Sequence, residues 1–361
     1  MIVSLVVFFA VLAVLVLVHE FGHFLAARRR GVRIEEFGFG FPPRLFSVKK
    51  GETLYSFNLL PFGGFVKIFG EDSQHSQDPE NFASRSVSQR AAIIAAGVFF
   101  NLILAYFLFS FVFWLGMPVD ADDPLWGREA QNPQITVIEV LPSSPAESIG
   151  LKKGDKIIEL KSGGESAKPA GINDVQNFIN ENQGRAINLE ILRKGEKLDF
   201  SVVLPQDRQS SNGILGIAMA NIGILKKSMF GALWFGMKET LSTILGTLKG
   251  LVFILGLLFS GENVSGLVSG PIGIFSIVGA SLNFGYAFLF TLTATLSVNL
   301  ALINFFPIPA LDGGRLLFLA IEALRGRPVS QKAAGLAHSL GFAILILLMI
   351  IVTYYDLKTR F

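Results

Sequence analysis

Residues 1–18 carry no charged side chain, a run long enough to cross a bilayer as a helix. Comparable apolar runs return at 91–114, 285–306 and 337–355, so the pattern predicts four crossings. Between the first two runs the period changes. Residues 37–41, 45–48, 54–57 and 65–68 read as short strands. Pro42-Pro43, Lys50-Gly51-Glu52 and Pro61-Phe62-Gly63-Gly64 separate them as turn signals. This Phe- and Gly-rich stretch reads either as a sheet dipping toward the first helix or as an ordinary cytoplasmic hairpin. A third pattern fills 132–205: strand 135–140, short helix 146–149, strand 156–160, helix 174–182, then strands 186–193 and 197–204 about Lys194-Gly195-Glu196. That alternation predicts a small soluble α+β module, followed by a polar linker at 206–212. Residues 222–260 are apolar but include Lys226, Lys227, Lys238, Glu239 and Lys249. They read either as a span or as an amphipathic helix lying on a membrane surface.

Charge orients these pieces. Arg28, Arg29, Arg30 and Arg33 follow the first run, and the positive-inside rule keeps them in the cytoplasm with the N-terminus outward. A signal peptide has its basic residues in front of the apolar core, so the run reads as a retained helix. Arg85 and Arg90 precede the second run and Asp120, Asp122 and Asp123 follow it, which agrees with a crossing from inside to outside. The module at 132–205 is therefore expected outside. A net charge of +3 says little about partners, and nucleic acid is not among those expected. The chain has no cysteine, which excludes disulfides and thiolate ligands; a metal would need His, Asp or Glu.

Those residue types meet at the end of the first run, in His19-Glu20-Phe21-Gly22-His23. Histidines four apart stack on one helix face, where two imidazoles can share Zn²⁺. Glu20 is then placed as the general base toward a water activated there. Ionisable groups at that depth are costly and usually functional. A catalytic zinc normally takes three protein ligands, and Asp312 is the strongest third candidate. It follows an apolar run, between helix-breaking prolines and a Gly-Gly pair that permits close backbone approach. Its alternative role is capping the helix that begins near Arg315. Glu239, Glu262 and Glu322 lie in polar or interfacial contexts, and His338 reads as a packed, hydrogen-bonded histidine. If Asp312 is to meet the histidines, one net crossing must separate 205 from 312. The run at 289–306 supplies it, so 222–260 must cross twice or not at all. The scattered lysines favour a surface position.

The run Ser144-Pro145-Ala146-Glu147-Ser148-Ile149-Gly150-Leu151-Lys152-Lys153-Gly154-Asp155 resembles PDZ domains of the bacterial protease type, which bind extended peptide ends by strand addition. The chain as a whole resembles the site-2 protease family of intramembrane zinc metalloproteases, especially its bacterial envelope-stress branch. The likeness rests on His19-Glu20-Phe21-Gly22-His23, Gly97 and Asn101, Gly270-Pro271-Ile272-Gly273, and the run from Asn304 to Gly314 that contains Leu311-Asp312-Gly313. It implies that His19, His23 and Asp312 bind Zn²⁺, that Glu20 is the catalytic base, and that Asn304 holds substrate. Gly63, Gly64 and Phe65 of the sheet and Pro271 are further substrate-binding candidates. Enterobacterial relatives carry two tandem PDZ domains, whereas this chain has room for one.

The expected fold is a polytopic α-helical membrane protein with four transmembrane helices, a membrane-re-entrant β-element and one external α+β PDZ domain. Its expected divisions are 1–27, the first transmembrane helix; 28–90, a cytoplasmic or re-entrant sheet and loop; 91–116, the second helix; and 117–212, the external domain with linkers. Then follow 213–284, surface amphipathic helices and the Gly270–Gly273 loop; 285–314, the third helix with Asp312; 315–335, a cytoplasmic loop; and 336–361, the fourth helix. The expected partners are the lipid bilayer, single-span membrane proteins cleaved within their spans, and peptide ends at the PDZ domain. By the resemblance the substrate would be an anti-sigma factor or signal-peptide remnants, and the location the bacterial cytoplasmic membrane with the PDZ domain outside. Two other functions remain open, a membrane metal transporter and a non-catalytic PDZ receptor. The first normally shows repeated halves or paired polar residues in several spans, and the second has no use for Glu20.

Overall fold

The computed structural model describes residues 2–71, 78–124, 126–206, 214–262 and 267–360. In chain order, helix α1 (Ile2–Arg29) leads to strands β1 (Ile34–Lys50) and β2 (Thr53–Ile68) and helix α2 (Val87–Leu115). Next come β3 (Met117–Asp120), β4 (Gln131–Val140), α3 (Pro145–Ser148), β5 (Lys156–Ser162), β6 (Glu165–Ala167) and α4 (Ile172–Glu181). Strands β7 (Ala186–Arg193), β8 (Glu196–Val203) and β9 (Ile217–Leu225) follow. Helices α5 (Met229–Phe259), α6 (Pro271–Phe284), α7 (Tyr286–Phe305), α8 (Asp312–Arg325) and α9 (Gln331–Arg360) complete the order. His75, most of the linker expected at 206–212 and part of the loop expected before Pro271 lie outside the described residues. The chain divides into two compact units, Met1–Phe111 with Leu233–Gly279 and Phe290–Phe361, and Val112–Ala232 with Ala280–Leu289.

In the first unit, α1, α2, α5, α7 and α9 are long and apolar enough to cross a bilayer. Strands β1 and β2 form an antiparallel ribbon that folds on itself: Phe37 pairs with both Tyr55 and Val66, and Phe39 with both Phe57 and Gly64. The four short strands expected from the sequence are therefore present, fused in pairs through bends at Pro42-Pro43 and at 61–64. The base of the ribbon is buried, with Ile34 and Ile68 in one cluster with Phe24 of α1 and Ile93 of α2. Its far end exposes Phe41, Leu59 and Leu60, and its returning edge segment exposes Leu45, Phe46 and Val48, an apolar surface that needs a cover.

Two expectations about this unit change. Of the segment expected as surface helices at 213–284, Ile217–Leu225 is β9 of the second unit, Met229–Phe259 is one 31-residue helix, α5, and Pro271–Phe284 is α6. Lys226 and Lys227 precede α5, leaving three charged side chains along its length. Ile244 of α5 packs with Phe109 of α2 and Ala294 and Val298 of α7, and Thr247 Oγ1 donates to Asn299 Oδ1 at 2.8 Å. The helix is thus held by packing with the other apolar helices. The basic stretch expected as a loop at 315–335 is helical to Arg325, because Leu316 and Leu319 give it an apolar face for the cluster beneath β1 and β2. Gly326, at φ 67°, ends it in the left-handed conformation that glycine tolerates.

The second unit is a seven-stranded sheet ordered β3-β9-β4-β5-β7-β8, with β6 paired to β5. Alternate residues Ile187, Leu189 and Ile191 point into the core beside Val137 and Leu160, and Val175, Phe178 and Ile179 of α4 close it. Ser144 caps α3 by accepting from Glu147 N, with Pro145 at the first turn. The expected strands and helices appear here; β3, β6 and β9 are additional. Asp155, 1% exposed, accepts two 2.6 Å hydrogen bonds from Arg193 and a third at 2.8 Å from Lys152 N. Asp155→Ala would leave the partly exposed guanidinium with its bond to the Gly150 carbonyl, and its expected cost is about 1.5–3 kcal/mol. Denaturant unfolding of the detergent-solubilised chain reads this, and the double variant with Arg193→Leu should recover part of the loss.

Candidate metal centre

His19 and His23 lie one turn apart on α1, both buried. Asp312 is the first residue of α8. Its Oδ2 lies 3.0 Å from His19 Nε2 and 3.2 Å from His23 Nε2, and the two Nε2 atoms are 3.2 Å apart. Ligand atoms about 2.0–2.1 Å from a tetrahedral zinc stand about 3.3 Å from one another. The triangle therefore has the size of one face of a zinc tetrahedron, with the fourth corner left for water or substrate. Two imidazoles and a carboxylate also suit zinc chemically. The alternative reading of Asp312 as a helix cap does not hold, because Leu311 occupies the cap position of α8.

The imidazoles are aimed from behind. His23 Nδ1 lies 3.0 Å from the Ile93 carbonyl, so it carries the proton and Nε2 presents its lone pair to the triangle. His19 Nδ1 lies 3.3 Å from the Asn101 amide nitrogen, while the buried Asn101 Oδ1 has no partner. The opposite amide orientation lets Oδ1 accept from His19 Nδ1–H, which satisfies both groups and frees Nε2 for the metal. Ser297 Oγ of α7 donates to the Asn101 carbonyl at 2.8 Å. One residue of α2 thus links both other helices of the site.

Close approach of α1 and α2 depends on two glycines. A Cβ on Gly22 would lie 2.5 Å from the Ala96 carbonyl oxygen, and one on Gly97 would collide with the His23 ring and reach within 2.8 Å of His19 Cε1. The loop after α7 is equally tight. Pro307 and Pro309 prevent the helix from continuing, and a Cβ on Gly314 would lie 2.5 Å from the Ile308 carbonyl oxygen. Ala310 has φ 81°, a conformation that costs a residue with a Cβ roughly 1–2 kcal/mol.

A cavity of about 270 Å³ adjoins the triangle, lined by Val16, His19, Glu20, Leu300, Asn304 and residues 310–312. Glu20 accepts a hydrogen bond from the Val66 backbone of the ribbon. Asn304 Nδ2 lies 3.3 Å from His19 Nε2. Gly64 approaches α1 so closely that a Cβ on it would lie 3.4 Å from Val16 and 3.6 Å from Glu20. Gly63, at φ 116°, forms the bend before it, and the Phe65 ring covers Gly38. The fold thus gathers His19, Glu20, His23, Asn304 and Asp312, with Gly64 at the margin. Pro271 stands apart, opening α6 beside Asp356, whose Oδ2 accepts from Gly273 N at 2.7 Å. The Ile93 carbonyl could not have been found from the sequence, since any residue supplies a carbonyl; helix register alone selects it.

Gly97→Ala is expected to remove most bound metal, measured as metal per chain in the purified protein. Gly246→Ala, where a Cβ meets nothing within 4 Å, should leave the metal content unchanged.

Known proteins resemble this chain along most of its length. Residues 7–348 match the family model described as Peptidase family M50. The chain is 30% identical to a zinc metalloprotease RasP of Oceanobacillus iheyensis, covering 99% of each chain. It is 31% identical to a zinc metalloprotease RasP of Geobacillus kaustophilus, covering 99% of this chain and 98% of that one. A putative zinc metalloprotease of a Nostoc species is 34% identical over 94% of this chain and 93% of its own. With a match running from the first helix almost to the end of the last, this chain belongs to peptidase family M50.

Proposed function

We propose that the protein is an intramembrane zinc metalloprotease of the bacterial cytoplasmic membrane, cleaving single-span membrane proteins within or near their spans. The observation that carries this reading is the ligand triangle of His19, His23 and Asp312, with Glu20 and Asn304 in one cavity beside it. It lies among helices apolar enough for lipid, and the relatives named above are zinc metalloproteases. Zinc, when bound, polarises a scissile carbonyl and makes a water more acidic. Glu20 takes that water's proton and passes it to the leaving amine. Asn304 donates a hydrogen bond to the substrate backbone or to the oxygen that gains charge.

A helical substrate hides its amides in internal hydrogen bonds and has to be extended before it can be cut. The ribbon segment at 64–66 runs beside Glu20 and supports strand addition as the way to hold it. The apolar exposed end of the ribbon supports a position within lipid, which favours the re-entrant reading over a cytoplasmic hairpin. The second unit, read as one PDZ-type domain, would face outward. By its resemblance to PDZ domains, its role would be to bind peptide ends or exclude bulky substrates; an anti-sigma factor or signal-peptide remnants fit the substrate class.

The helix contacts also support a topology. Gly236 of α5 lies against Ser110 near the end of α2, and Thr247 reaches Asn299, near the end of α7. Helix α5 thus runs inward alongside α7. Helix α6 runs back against α1, with Phe275 beside Phe8 and Gly279 beside Ser4. At 14 residues, about 21 Å, α6 is shorter than a full crossing, so it makes the double crossing that the position of Asp312 allows only together with the chain that joins it to α5. Asp356 caps the start of α6, giving its backbone a partner where water is scarce.

Glu20→Gln should retain zinc and lose cleavage of a membrane-span reporter by about 10²- to 10⁴-fold, whereas Asp312→Ala should lose zinc as well. Full cleavage by Glu20→Gln would remove the assigned base, and normal zinc in Asp312→Ala would remove the third ligand. For the topology, Glu262→Cys at the end of α5 should react with an impermeant maleimide from the cytoplasmic side. Labelling from the outside alone would return α5 to the membrane surface.

A further inference from the structure

The hydrogen bonds of the loop at 306–311 single out one side chain from another helix. Pro307 and Pro309 have no N–H to donate. Phe306 N donates to the carbonyls of Leu302 and Ile303, Ile308 N to Phe306, and Leu311 N to Ile308. Each of those bonds is local. Ala310 N instead donates to His338 Nδ1 on α9 at 2.9 Å. Ala310 is also the residue of this loop with positive φ, a conformation that persists only where its surroundings enforce it.

Packing alone gives little enforcement there. Ala310 lines both the 270 Å³ cavity beside the ligand triangle and a second cavity of about 750 Å³ on its other side. That second cavity is also bordered by Arg315, Phe318, His338 and Phe342. The neighbouring contact runs through the same face of α9: a Cβ on Gly341, one turn beyond His338, would collide with the Pro309 carbonyl. The Phe318 ring meets the His338 ring edge-on, with centroids 5.7 Å apart, and holds the imidazole against rotation. Helix α9 therefore touches the two residues that precede Leu311 and Asp312.

We infer that His338 is a positioning residue for the metal site: its Nδ1 lone pair tethers Ala310 N–H, holds the left-handed turn, and so fixes Asp312 at the ligand triangle. The bond requires the imidazole tautomer with its proton on Nε2, because Nδ1 has to accept. His338 touches neither metal nor substrate. Its effect reaches the site through two peptide units, and its loss would loosen the carboxylate while leaving the two histidines in place. The inference rests on Asp312 being a zinc ligand.

Two substitutions separate the tether from packing. His338→Phe keeps an aromatic ring and loses the acceptor; His338→Asn loses the ring and keeps an acceptor oxygen near the place of Nδ1. Zinc release from the full-length enzyme into a chromogenic chelator, together with kcat and KM on a membrane-span reporter, is the measurement. His338→Phe should release zinc about 10- to 100-fold faster, with kcat reduced and KM unchanged, and His338→Asn should stay near the parent protein. The inference is overturned if His338→Phe releases zinc at the parent rate, or if His338→Asn is as impaired as His338→Phe. Failure of both variants to fold also overturns it, since His338 would then hold the helices and not the loop. Asp312→Ala in parallel separates the two assignments. Unchanged zinc release in that variant removes Asp312 as a ligand, whereas fast release there with normal release in His338→Phe removes the tether alone.

Discussion

For His19, His23 and Asp312 to share one zinc, their three donor atoms have to stand about one zinc–ligand tetrahedral edge apart, although two come from α1 and the third lies 293 residues beyond the first. The architecture around the site answers that constraint. A metal bound by side chains a turn apart needs a third donor from a different element, and the donor has to arrive at the same depth. Helix α7 brings the chain to that depth, two prolines stop it, and α8 begins with the carboxylate. A site of this kind tolerates little displacement, because zinc–ligand bonds are short and directional.

The supporting contacts follow from the same requirement. Gly22 and Gly97 let α1 and α2 approach where the imidazoles project, and a single methyl group at Gly97 would occupy the space of the rings. Asn101 and the Ile93 carbonyl hold the far nitrogens, which directs the near ones inward. In an apolar setting such bonds are hard to replace, since no water competes to satisfy the groups. The ribbon and Asn304 complete the cavity from two sides without joining the ligand set.

Helix α5 illustrates where composition misleads. Five charged residues between 226 and 249 suggest a helix on a surface, but two of them lie before the helix begins, and Ile222 to Leu225 is strand. The period-2 pattern of β9 is hidden because both of its faces are half-buried and because its partners are β3 and β4, far off in the chain. Strand pairing over such distances leaves little local trace. The shorter β-elements were legible because turn residues bound them, and the 34–68 ribbon kept all four expected segments even though bends fuse them in pairs.

By itself the sequence determined the chemistry and most of the helices. His19, Glu20 and His23 share one motif, long apolar runs can be little else than helices in lipid, and the absence of cysteine narrowed the third ligand to a carboxylate or histidine. It also set a parity condition on the segment between 205 and 312, two crossings or none, without choosing between them. Tertiary structure decided the rest. It placed Asp312 within 3.2 Å of both histidines, set the Ile93 carbonyl and the Asn101 amide behind the imidazoles, laid α5 against α7 and α6 against α1, and brought His338 to the loop before Asp312. These choices depend on which faces of distant helices meet. Local periodicity reports the apolar face of a helix, and cannot report what that face will touch.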